Sequence, residues 1–71
     1  MKWFVDRNHD GSVSRVIRIH DDADGLWGEF FRDGQWVADP VVLEVLSDPT
    51  WGLPVSAKEG QDIIARLAEH D

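Results

Sequence analysis

Four oxygen-bearing side chains stand at every second position near the start of the chain: Asp6, Asn8, Asp10 and Ser12. Carboxylate, amide and hydroxyl oxygens in such a spacing are the ligands that hard divalent cations take, and Gly11 among them permits a sharp turn. The chemistry they would do together is cation binding.

The stretch Asp6-Arg7-Asn8-His9-Asp10-Gly11-Ser12-Val13-Ser14 resembles the first nine positions of an EF-hand or dockerin-type calcium loop. Asp6, Asn8 and Asp10 stand at oxygen-ligand positions, Gly11 at the turn, Ser12 at the carbonyl-ligand position and Val13 at the apolar one. The resemblance implies a weak, calcium-like site of the millimolar class over residues 6–14. It departs from the pattern at the twelfth position, where Ile17 replaces the bidentate acid, and only five residues precede Asp6. The competing reading is structural: Asp10-Gly11 is a hairpin turn, and Asp6 and Asn8 are polar residues at its edge. A second cluster, His20-Asp21-Asp22-Ala23-Asp24, offers four potential metal ligands, again against the reading of an acidic turn that bonds its own backbone.

Signals for catalysis are few. His9 falls in a turn, His20 at a strand end and His70 near the C-terminus; Ser56 reads as a helix cap. There is no nucleophile elbow, phosphate loop or dinucleotide fingerprint, so no cofactor is expected. Glu29 and Glu44 are acids set among apolar neighbours, and an enzyme would need a pocket holding one of them with a His. The expectation is a protein that is not an enzyme.

The aromatic residues carry more information. Alternation puts Trp3 and Val5 opposite Phe4, Trp27 and Phe31 opposite Leu26 and Phe30, and Trp36 opposite Val37. Both faces of any sheet they form are thus partly apolar. Trp3, Trp27, Phe31, Trp36 and Trp51 are the candidates for a partner-binding surface, since tryptophan is enriched at interaction hot spots. In a chain this short, poor in Leu and Ile, the core is the first expectation for the tryptophans.

The elements that must position these residues follow from turn chemistry. Asp-Gly pairs at 10–11, 24–25 and 33–34 separate strands over 2–7, 12–20, 26–32 and 35–38, which is a meander. Asp39-Pro40 is a helix start, predicting a short helix over 40–47 with Val42, Val45 and Leu46 inward; a further strand is the rival for the run VVLEV. Residues 48–54 read as a loop anchored by Trp51. Ser56-Ala57-Lys58-Glu59 is a capping box opening a helix from Ala57 to about Glu69, with Ile63, Ile64 and Leu67 as its apolar stripe. The fold class is α+β: a three- to four-stranded antiparallel β-meander packed against a C-terminal helix, as one small domain over 1–71. That helix closes one face; the other awaits residues 40–54, a second subunit or a partner.

Length and charge set the function classes. A 71-residue chain without cysteine has no disulfide or thiolate zinc site, and must draw its stability from packing, turns and caps, or from a partner subunit. No apolar run reaches the roughly 20 residues of a membrane span, and the first residues lack a signal-peptide core, so a cytoplasmic location without membrane attachment is the expectation. The net charge is −7, and it is uneven: residues 1–20 carry four bases against two acids, and residues 21–71 three against twelve. A phosphate-binding footprint is lacking over most of the chain, which disfavours nucleic acid. The preferred reading is a non-catalytic acidic module that binds another protein, one with a basic surface, as adaptor, inhibitor or small homodimer. The alternative is weak divalent-metal binding at 6–14.

Overall fold

A computed structural model describes residues 1–48, 50 and 52–69. Four strands follow one another as expected: β1 (Lys2–Arg7), β2 (Val13–Asp22), β3 (Gly25–Arg32) and β4 (Gln35–Ala38). A 3-10 helix (Pro40–Leu46) comes next, then β5 (Leu53–Val55) and the helix α1 (Ala57–Glu69). The sheet is antiparallel in the order β4-β3-β2-β1-β5. The α+β meander closed by a C-terminal helix is what the turn spacing predicts.

The fifth strand is the addition. Leu53, Pro54 and Val55 pair with Val5, Phe4 and Trp3, within a segment that reads as loop because its two prolines hide its extended character. Pro54 is tolerated there because β5 is an edge strand, where one N–H has no ladder partner to lose.

Each hairpin is set by local chemistry. In the β3–β4 turn, Asp33 and Gly34 take φ of 52° and 82°, the left-handed pair that matches the twist of the flanking strands. The β2–β3 turn falls one residue earlier than the Asp-Gly spelling suggests. Ala23 and Asp24 are the turn residues, with the Asp22 carboxylate accepting from the Asp24 N–H at 3.0 Å. In the first turn Asn8 N–H donates to Ser12 C=O at 2.8 Å, and the β1–β2 register slips between Asp6 and Arg7.

The two faces of the sheet have separate covers. On one, Trp3, Val5 and Val16 pack under Ile63 of α1, with Phe31, Trp36, Val55 and Ile64 around them. Gly60 makes this possible, because a Cβ there would collide with the Trp3 indole. On the other, Phe4, Ile17 and Ile19 pack under Val42 and Val45 of the 3-10 helix. Gly28 plays the matching part, since a Cβ there would run into Val42. The face that one helix could not close is therefore closed from within the chain. Asp39 caps the 3-10 helix by accepting from the Val41 N–H at 2.9 Å, with Pro40 following, as the sequence predicts. Ser56 caps α1, accepting from the Glu59 N–H at 3.1 Å.

Two inward assignments need correction. Leu46 and Leu67 are both exposed, at 42% and 37%. The 3-10 helix puts three residues in a turn, so Val42 and Val45 share its inner face and Leu46 falls beyond it. Leu67 lies one turn past Ile63 and Ile64, near the end of the helix. Among the described residues no helix is long and apolar enough to cross a membrane.

Candidate functional site

On the α1 side of the sheet, past the area that the helix covers, strand alternation brings a row of polar and aromatic side chains together. Arg18 lies opposite Glu29 and His20 opposite Trp27 in the β2–β3 ladder, Trp3 opposite Arg18 in β1–β2, and Phe31 opposite Trp36 in β3–β4. Period-2 geometry therefore places all seven on one face.

Glu29 is the hub, only 8% exposed. Its Oε1 accepts from Arg18 Nε at 2.8 Å and from Arg18 Nη2, and His20 Nε2 lies 2.8 Å from the same oxygen. A carboxylate can only accept, so Nε2 is the protonated ring nitrogen. Arg18 also meets two aromatic rings: its guanidinium carbon sits 3.6 Å from the centre of the Trp36 ring and 5.5 Å from that of Trp3. Trp36 meets Trp3 and Phe31 edge to face, at 5.8 and 5.4 Å. The buried charges are thus paired, hydrogen-bonded and capped by aromatic faces, the conditions under which burial is tolerated.

Trp27 closes the row at its open end. Its ring stacks on His20 at 4.0 Å and 9° from parallel, and its Nε1–H donates to Asp22 Oδ2 at 3.1 Å. The Trp27 bond, together with that from the Asp24 N–H, holds the Asp22 carboxyl below its ordinary pKa. Although 40% exposed, the indole is held in place on two sides.

The five aromatic candidates therefore divide. Trp3 is 6% exposed and belongs to the core beneath Gly60, so its place among partner-facing residues is corrected by its burial. Trp27 is exposed, and Phe31 and Trp36 are half-buried farther along the same face, beyond Glu29. Trp51 lies outside the described residues. Arg18 is the member that sequence reasoning missed, and its signal was there: a charged residue two positions after Val16 on a strand face that also carries Trp3.

The first-turn side chains bond to one another and to Arg15. Asp6 Oδ2 takes Arg15 Nη2 at 3.0 Å, and Asn8 Nδ2 donates to Ser12 Oγ at 3.0 Å. Asp10 Oδ1 accepts from both the hydroxyl and the N–H of Ser12, at 2.6 and 2.9 Å, and these bonds lower its pKa. In the second cluster His20 and Asp22 are turned to Glu29 and Trp27. Among the described residues, no three His, Asp or Glu side chains gather as a group that would hold a metal ion.

Glu29 and His20 do meet, the pairing a general base would need. Neither the cleft of about 620 Å³ beside Phe30, Phe31 and Leu67 nor that of about 280 Å³ between Met1, Leu26 and Leu46 reaches them. The carboxylate is shared with Arg18 and the imidazole lies flat on an indole. Comparison of the chain with known protein families, curated proteins and solved structures finds no match.

Proposed function

We propose that this chain is a non-catalytic acidic module that binds another protein through the α1 side of its sheet, with Trp27 as the anchor. The observation that carries the reading is that Trp27 is exposed and yet held, by the His20 stack on its face and the Asp22 bond at its edge. A pre-positioned indole gives up little rotamer freedom on binding, so more of its apolar area counts toward affinity. Trp36 and Phe31, half-buried on the same face, extend the apolar surface toward β4.

Charge narrows the partner. With twelve acids against three bases over residues 21–71, the domain attracts basic surfaces and repels acidic ones, a second copy of itself included. An adaptor or inhibitor role toward a basic protein is favoured over a homodimer.

The test is affinity capture from cells that produce the protein, with the wild-type chain and Trp27→Ala in parallel. A basic partner retained by the first and lost by the second supports the reading. Identical sets of captured proteins would remove Trp27 as the anchor and the reading with it.

A further inference from the structure

The two edges of the sheet are unlike. β5 is three residues long and has Pro54 at its centre, so it is a poor template for another strand. β4, at the opposite edge, reads Gln35-Trp36-Val37-Ala38, with no charge, no proline and no bulge, and every residue in register with β3. Of the usual guards against edge pairing it has only its shortness, four residues.

The direction of its free groups follows from the turn. A two-residue hairpin loop at Asp33-Gly34 makes Arg32 and Gln35 a hydrogen-bonded pair, and alternation makes Phe30 and Val37 the next. The series continues in the bond from Asp39 N–H to Gly28 C=O, at 3.1 Å. The N–H and C=O groups of Trp36 and Ala38 therefore point away from β3, off the end of the sheet. Beside them, Val37 is 39% exposed on one face and Trp36 is half-buried on the other.

Resting on the protein-binding reading above, we infer that β4 takes an extended, basic segment of the partner as a sixth strand, through the backbone groups of Trp36 and Ala38. This is strand addition, in which main-chain bonds give affinity and alternate side chains give selectivity. Charge complementarity decides the occupant. Asp33, with an exposed carboxylate 3.6 Å from Arg32, flanks one end of β4 and Asp39 the other, while the cation of Arg18 is turned onto the Trp36 ring. A strand alternating Lys or Arg with apolar residues can set its apolar side chains beside Trp36 and its cations on the Val37 face, to which alternation also assigns Asp39. A second copy instead sets −7 against −7.

The experiment is an amide-resonance titration of the full chain with a capped peptide alternating Lys and Val, and with its Glu and Val counterpart. The expected result is that the basic peptide shifts Gln35–Ala38 and slows exchange of the Trp36 and Ala38 amides. Binding should weaken about tenfold or more between roughly 50 and 500 mM salt, and the acidic peptide should not bind. Ala38→Pro removes an outward N–H and should abolish binding. Should that variant not fold, Val37→Lys, at an exposed side chain, should weaken the basic peptide about tenfold through like-charge repulsion. Shifts confined to Trp27 and its neighbours would overturn the β4 assignment while leaving the protein-binding reading in place. Concentration-dependent shifts at β4 without peptide would overturn the basic occupant in favour of a second copy. No shift with either peptide would overturn the inference.

Discussion

Arg18 and Glu29 face one another across the β2–β3 ladder, with Arg18 Nε donating to Glu29 Oε1 at 2.8 Å beneath the Trp36 ring. The pair is mostly buried, so removing one member leaves the other as an uncompensated charge. Arg18→Met should cost about 3 kcal/mol, the low end for a broken buried pair because His20 still bonds Glu29. Adding Glu29→Leu to that variant should recover most of the loss, since paired removal avoids the stranded charge. Urea denaturation of the wild type and the three variants completes the cycle. Additive losses would mean that the two side chains are not coupled.

Gly60 is a helix-interior glycine, where alanine ordinarily gains about 1 kcal/mol. Here the added Cβ meets the Trp3 indole, a ring already fixed by Trp36 and the sheet. Overpacking of this kind costs about 1–3 kcal/mol, so Gly60→Ala should be net destabilising by about 1 kcal/mol. A raised thermal midpoint would show that α1 moves off the sheet without penalty.

Why some of this was legible and some not has a physical basis. Turn residues and caps act locally, so Asp33-Gly34, Asp39-Pro40 and the Ser56 cap announced β3–β4, the 3-10 helix and α1 from a few letters each. Faces were legible too, because strand alternation separates Trp3 from Phe4 without reference to anything distant. The β5 pairing with β1 is non-local, and nothing within Leu53-Pro54-Val55 specifies its partner. The meeting of Arg18, His20 and Glu29 depends on β2–β3 register, which the sequence leaves open by a residue at Asp24-Gly25. That one residue decides which side chains stand opposite each other.

Acid should release Trp27 at its Asp22 end. The bonds from the indole and the Asp24 N–H lower the folded-state pKa of Asp22 beneath the ordinary 3.8. A depressed carboxylate pKa gives stability that is present above the unfolded value and is lost as pH falls through the folded one. The Trp27 Nε1–H resonance should therefore titrate with a midpoint below the ordinary 3.8. Asp10 and Asp48, lowered chiefly by the hydroxyls of Ser12 and Thr50, should do the same at the amides of those residues. An indole resonance that moves with a midpoint at or above the ordinary value would mean that the Asp22 bond is not made in solution.

The first turn should resist calcium. To draw Asp10 Oδ1, Ser12 Oγ and Asp6 Oδ2 into a ligand set, the ion would compete with the bonds that Asp10 Oδ1 accepts from the Ser12 hydroxyl and N–H, that Ser12 Oγ accepts from Asn8 Nδ2, and that Asp6 Oδ2 accepts from Arg15. Each is a modest interaction, but calcium needs six to eight oxygens, and Ile17 stands where the bidentate acid of the loop would supply two. The exchange therefore trades several satisfied bonds for an incomplete shell. Addition of calcium to millimolar concentration should leave the amide resonances of residues 6–14 in place. Saturable shifts there, absent with sodium at equal ionic strength, would show that the loop opens to the ion and would restore the cation reading of this turn.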